Sequence, residues 1–141
     1  MGWTHSWERV PELPKEGFIQ AARDCLRIMA GINIPLGDEQ GEGLPVFSDD
    51  EIAFNGAGDN CCEPFVFRRT DAPHQGRKRA FSFCKTERLP YDLCVQVALI
   101  VLKHHLGGEI IVVSDGQDDD WAKAREECQQ ILGYGQDFQL E

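Results

Sequence analysis

The sequence predicts an α+β fold: a small, mainly antiparallel sheet layered with about three helices, the middle helix central. Three observations carry this. Apolar residues recur at helical spacing in three stretches. Short alternating runs cluster between the first and second of them. The second stretch, from Leu93 to Leu102, is apolar except for Gln96, as expected of a helix covered on several sides.

Taken in order, the opening "GWTHSWERVPELPK" holds two Trp and two Pro. It reads as an extended arm over about residues 1–15, laid across the body. Helix one is predicted from Glu16 to Ala30. Phe18, Ala22, Cys25 and Met29 fall at i, i+4, i+7 and i+11 and form one stripe, and Gly31 ends it. "PLGDEQGEGLP" is a loop. Short strands come next near Val46–Phe47 and Glu51–Phe54, and "NGAGDN" turns the chain. "PFVFR" from Pro64 and "RAFSFC" from Arg79 both alternate. Phe65 with Phe67, and Phe81 with Phe83, each share a face, and the two runs are expected to pair as a hairpin. Their loop, "RTDAPHQGRK", is long and basic. Helix two runs from Pro90, a favourable first residue, to His105. "EIIVV" from Glu109 is a buried strand and "SDGQDDD" a loop. Helix three begins near Asp119, with Trp121, Ala124, Arg125, Cys128 and Leu132 inward. The tail "GYGQDFQLE" is expected to fray.

A chain of 141 residues fits one domain, 1–141, with a core of its own. Its net charge of −10 argues against bulk attraction to nucleic acid. The charge is banded. Gly37 to Glu63 carries eight acids and no Lys or Arg, and Glu109 to Glu141 carries nine acids against two bases. Between them, Arg68 to Arg88 carries seven of the fourteen bases against two acids. Such bands are solvated faces, a local anion site or a surface for a partner. No apolar run approaches the ~20 residues a membrane span requires, and the opening lacks a leader-like apolar core. A cytoplasmic protein with no membrane partner is expected. The six cysteines include no Cys-x-x-Cys pair, so reduced thiols are expected and no zinc ribbon.

The chemistry gathers at the two ends of helix two. At its start, Cys84, Lys85, Thr86 and Arg88 form an elbow between a strand and a helix N-terminus. Free N–H groups and a partial positive charge there favour an anion; the alternative is solvated cations, with Asp92 complementing the dipole. Asp92, Gln96 and Lys103 fall within roughly 40° on a helical wheel, a seam that is satisfied by partners or lines a cavity. Lys103, His104 and His105 occupy the last turn, where cations suit the dipole. Ser114-Asp115-Gly116 ends a strand. Asp115 there either binds a sugar hydroxyl, base amine or cation, or belongs to a tight turn with Asp118 capping helix three. A zinc site from His105, Cys84 and Asp115 has no spacing motif behind it. A hydrolase built on Cys84, His104 or His105 and Asp115 would be recognised by geometry, which spacing does not supply.

The segments "FNG", "FCKT", "PYD", "KHH" and "SDG", from Phe54 to Gly116 and on to Trp121, together resemble a family of small uncharacterised bacterial and phage proteins. The resemblance transfers no catalytic role. It implies that Cys84, Lys85, Thr86, Tyr91, Asp92, Lys103, His104, His105, Ser114, Asp115 and Gly116 form one feature. Phage association would imply a host-interaction or counter-defence role, for which such a protein could sequester a signalling nucleotide.

The function expected on these grounds is non-catalytic binding of a small anionic, nucleotide-like ligand. Lys85, Thr86 and Arg88 would hold phosphate, Tyr91 would meet a ring, and Ser114 and Asp115 would meet a sugar or base edge. Cys84, Asp92, Lys103, His104 and His105 would support the site, with no cofactor and no metal. The alternative is an acidic interaction module, or nucleic-acid mimic, engaging a basic host protein; a cysteine- or metal-dependent hydrolase comes third. Nothing in the sequence opposes a homo-oligomer.

Overall fold

A computed structural model describes residues 2–141. The strands are β1 (Thr4–Arg9), β2 (Leu36–Gly37), β3 (Val46–Phe47), β4 (Glu51–Gly56), β5 (Phe65–Arg68), β6 (Ala80–Lys85) and β7 (Ile110–Ser114). The helices are α1 (Lys15–Ile32), α2 (Asp92–Leu106) and α3 (Ala122–Leu132). The α+β reading holds, with antiparallel sheets and three helices.

One sheet has the order β6-β1-β7, antiparallel throughout. The other is built on β4, which pairs with β5, β3 and β2. The opening segment is extended, and it forms the central strand of this sheet rather than a separate arm. Its residues alternate: His5, Trp7 and Arg9 are buried, whereas Thr4, Ser6 and Glu8 are not.

The expected hairpin between the two Phe-x-Phe runs does not form. β5 pairs with β4 and β6 with β1. Phe65 and Phe67 are buried, but Phe81 and Phe83 face outward. The long 69–79 loop lets the chain leave the β4 sheet, and β6 pairs with the N-terminal strand instead. The sheets are stitched instead by the segments just after β1 and β5. Leu13 N–H donates to Arg69 O, Asp71 N–H donates to Pro11 O, and Glu12 bridges Thr70.

Two side chains of β1 join the layers. Trp7 packs against Phe65 and Phe67, with ring centroids at 5.2 and 6.0 Å. Arg9, 1% exposed, donates to the carbonyls of Val10, Arg68 and Arg69 at 2.9, 2.6 and 2.8 Å and lies over the Phe67 ring. Three carbonyls replace the water that the buried guanidinium has lost.

α2 is central, as its composition predicts. Every residue from Cys94 to Leu102 is buried, and the helix packs on α1, α3 and β7. Its polar seam is satisfied rather than open. Gln96 donates to Asp120 O, and Lys103 donates to Gly107 O and Ile110 O. α1 runs to Ile32, past the expected stop at Gly31, and Asn33 caps it in the left-handed region at φ 64°.

The tail does not fray. Phe138 stacks on Trp121 at 5.1 Å, and Glu141 N–H donates to Val112 O. The apolar area under Phe138 supplies the stability a free terminus lacks. The six cysteines are free thiols.

Leu99 is fully buried. Leu99→Ala is expected to lower the unfolding free energy by about 2–5 kcal/mol, measured by urea denaturation. An unchanged midpoint would place α2 at the surface.

Candidate functional site

The N-terminal end of α2 is bounded by three elements that meet side by side. β1 arrives with Trp3 and His5, the elbow after β6 supplies Thr86 to Arg88, and β7 ends in Ser114 and Asp115. The register places Thr4 beside Lys85 and His5 beside both Cys84 and Ser114.

A buried relay runs through this junction. His5 is fully buried. Its Nε2 lies 2.7 Å from Asp92 Oδ1, and its Nδ1 lies 2.7 Å from Ser114 Oγ. The Thr86 hydroxyl also donates to Asp92 Oδ1. A carboxylate only accepts, so the proton facing Asp92 sits on Nε2. Nδ1 then accepts the Ser114 hydroxyl proton. Ser114 Oγ in turn accepts from Gly116 N–H at 2.8 Å and from Trp121 Nε1–H at 3.3 Å. Trp121 meets His5 edge-on at 5.0 Å.

The order Ser–His–Asp is that of a nucleophilic relay, but the surroundings oppose that use. Both lone pairs of Ser114 Oγ are taken by N–H donors, and His5 has no open side from which to protonate a leaving group. The network instead locks five segments of chain in one arrangement, which fully connected buried polar groups do well.

Beside the relay lies an open groove of about 530 Å³, lined by Gly2, Trp3, Glu87, Arg88 and Asp115. The elbow reaches it through two consecutive left-handed residues, Glu87 (φ 55°) and Arg88 (φ 60°). Neither is glycine, so each conformation costs on the order of 1–3 kcal/mol. The turn lays the Arg88 guanidinium on the Trp3 indole, 3.6 Å from its centroid. Trp3 is fixed through its backbone: its N–H donates to Glu87 and its carbonyl accepts from Thr86 N–H. Asp115 is fixed by Thr4 N–H, which donates to Oδ2 at 3.0 Å. Lys85 Nζ stands 3.7 Å from Glu87 Oε1, half-exposed.

The predicted residues thus divide. Lys85, Arg88 and Asp115 are at or beside the groove. Thr86 is fully buried, and its hydroxyl is spent on Asp92, which removes it as a phosphate donor. Tyr91 is also fully buried; its hydroxyl donates to Glu63 O at 2.6 Å, so its ring meets no ligand. Ser114 and Asp92 serve the relay rather than the groove. Cys84 is buried with Sγ against Glu63 O, and burial pushes its thiol far above the ordinary range. That is the reverse of an activated nucleophile. His5, Trp3 and Trp121 complete the junction and were not among the predicted site residues.

The other end of α2 is a separate cluster. His105 Nε2 lies 2.8 Å from Asp24 Oδ2, the Tyr134 hydroxyl donates to the same oxygen at 2.6 Å, and His104 stacks on Tyr134 at 3.6 Å. Neither histidine joins Cys84 or Asp115, so the cysteine triad and the zinc set are not assembled. Among the described residues no group of three or more His, Cys, Asp or Glu is placed to hold a metal, and no helix is long and apolar enough to cross a membrane.

Burial alone would push the Asp24 carboxyl up. The Tyr134 hydroxyl and His105 outweigh it and hold Asp24 below its ordinary value. Its stabilisation is therefore full above the unfolded value near pH ~4 and is lost as pH falls through the lower folded value. Asp24→Asn is expected to flatten this acid limb in urea melts taken from pH 6 to pH 2. A limb of unchanged slope would show that the charge is not what holds the tail. At the relay, an activity-based fluorophosphonate is expected to leave the intact mass unchanged; an adduct at Ser114 would make that residue a nucleophile.

Comparisons with protein-family models, with curated proteins and with solved structures found no match to this chain.

Proposed function

We propose that the chain binds, without converting, a small flat anion of nucleotide type in the groove between Trp3, Arg88 and Asp115. The observation that carries this reading is the Arg88–Trp3 stack at the mouth of a groove of about 530 Å³. An exposed guanidinium held flat offers an outer face on which a ring stacks, and donors in a fixed plane for phosphate oxygens. Lys85 adds a second cation. Asp115, which also lines the groove, accepts from sugar hydroxyls or an exocyclic amine. Arg88 shares the groove with the carboxylates of Glu87 and Asp115, a mixed lining that matches a ligand with an anionic end and a donor-bearing end.

The rigidity of the site supports binding rather than turnover. The relay beside the groove fixes it, and the Cys84 thiol and Ser114 hydroxyl of the junction are both engaged with other groups. Pre-organisation of this kind reduces the ordering cost of association.

Calorimetric titration against a panel of linear and cyclic nucleotides is expected to show one saturable site. Lys85→Ala with Arg88→Ala is expected to weaken it about 10-fold or more per lost charge-assisted contact, with thermal unfolding unchanged. Trp7 and Trp121 are fully buried, so ligand-induced quenching would report Trp3, and Trp3→Phe would abolish it. If no nucleotide binds, or the double variant binds like the wild type, the groove is not the site. The acidic interaction module then becomes the better reading.

A further inference from the structure

The sheet β6-β1-β7 has a second face that the helices do not cover. Its outward residues are Thr4, Ser6 and Glu8 on β1, Phe81, Phe83 and Lys85 on β6, and Ile111 and Val113 on β7. A one-sided antiparallel sheet normally alternates apolar-in with polar-out. Here Phe81, Phe83 and Val113 are 42%, 56% and 45% exposed. The two phenyl rings stand at i and i+2, with centroids 6.3 Å apart. Their cross-strand neighbours are Glu8 and Ser6, which leave both rings open to solvent.

Cations bracket these rings. Arg77 and His74 of the 69–79 loop line one shallow depression with Phe81 and Glu8, and Arg77, Lys78 and Arg79 line a second with Glu8. Among the described residues, Arg77, Lys78 and Arg79 take part in no ion pair; Arg79 is anchored by one hydrogen bond, from Nη2 to Gly108 O at 3.0 Å. Glu8 is one acid against these three. Lys85 closes the far end of the same strand, about 17 Å from Ala80 at ~3.4 Å per residue. Packing against a second copy would set cation against cation whichever way the two strands ran. A purely apolar partner would leave the loop cations unmatched. Stacking surfaces in a row with free cations beside them suit a polyanion that carries unpaired rings.

We propose that this outer face binds short single-stranded nucleic acid, with bases stacked on Phe81 and Phe83 and phosphates met by Arg77, Lys78 and Arg79. The groove reading is not required for this, since Trp3 and Arg88 lie beyond the end of the strand. Aromatic side chains standing off a sheet stack bases regardless of sequence. The net charge of −10 weakens the long-range pull on any polyanion, so stacking has to carry a large share of the affinity. A duplex, whose bases already stack on each other, gains little from this face.

Fluorescence anisotropy with fluorescein-labelled decauridylate and decathymidylate tests this on the full chain. Binding is expected at 20 mM salt, with a log–log salt slope near −2 to −3 for three to four phosphates at about −0.7 each. Phe81→Ala and Phe83→Ala are each expected to weaken it by about 5- to 150-fold, while Phe83→Trp retains it. Both side chains are exposed, so circular dichroism and thermal unfolding are expected to be unchanged in each variant. Arg88→Ala, which alters only the groove, is expected to leave oligonucleotide binding intact; Phe81→Ala is expected to leave mononucleotide binding intact. Absent binding at 20 mM salt, wild-type affinity in the Phe variants, or equal affinity for a ten-base-pair duplex would each overturn the proposal. So would a concentration-dependent dimer in sedimentation that the Phe81→Ala, Phe83→Ala double variant dissolves, because the face would then join copies of this chain.

Discussion

The fold depends on β1 lying between β6 and β7. Those two strands do not pair with each other; each pairs only with β1 within their sheet. Six residues from the start of the chain therefore hold together two segments that are remote in sequence. The inward side chains of β1 do three different things. His5 closes the polar junction at the head of α2, Trp7 fills the space between the sheets, and Arg9 ties β1 to the carbonyls after β5. A buried histidine and a buried arginine on one strand would be costly if unpartnered. Both are fully engaged, which makes the strand's register hard to shift: a slip of one residue would turn all three to solvent.

How much of this was legible in the sequence depends on the range of the signals. The helices carry their own evidence. The stripe of Phe18, Ala22, Cys25 and Met29 and the apolar run of α2 each sit within one element, and both read correctly. The strand "IIVV" is equally local, though only Ile110 and Val112 are buried and Val113 faces outward, so the expectation of a buried strand holds for one face. Strand pairing is not local, because two Phe-x-Phe runs near each other satisfy a hairpin pattern whether or not they pair. β1 was missed as a central strand because "THSWER" alternates in burial but not in polarity. Its inward His and Arg look as wet as its outward Ser and Glu. The large–small alternation of His, Trp and Arg with Thr, Ser and Glu was the one available sign. The same blindness hid His5 from the candidate site. Thr86 and Tyr91 were placed near the right junction, but sequence carries no information on which way a side chain turns at an elbow.

The two polar ends of α2 solve different problems with similar residue types. At the N-terminal end, Asp92 carries the negative charge that the dipole favours, and it also gathers His5 and Thr86. At the C-terminal end, Lys103 satisfies two carbonyls, while His105 and Tyr134 share Asp24. The second cluster links α1, α2 and the segment after α3, so it holds the helical layer as the first holds the sheet. Nine consecutive buried residues lie between them, and no ligand small enough for one end reaches the other.

Charge and exposure are arranged together across the first sheet. Its inner face is sealed by α2 and the second sheet, while its outer face keeps two phenyl rings open beside the basic 69–79 loop. Stability alone gives no reason for this, since a polar residue at Phe83 would remove exposed apolar area at no packing cost. Nor does solubility, because exposed phenyl rings on a flat sheet invite association. The acidic bands offset that risk. A chain of net charge −10 repels its own copies at long range, so an adhesive patch is tolerated if its cations stay confined to one loop and one strand end. The same repulsion sets a threshold for any polyanion. Only one able to stack on Phe81 and Phe83 while meeting Arg77, Lys78 and Arg79 at short range recovers enough to stay, which makes contact geometry, rather than bulk charge, the basis of selection on this face.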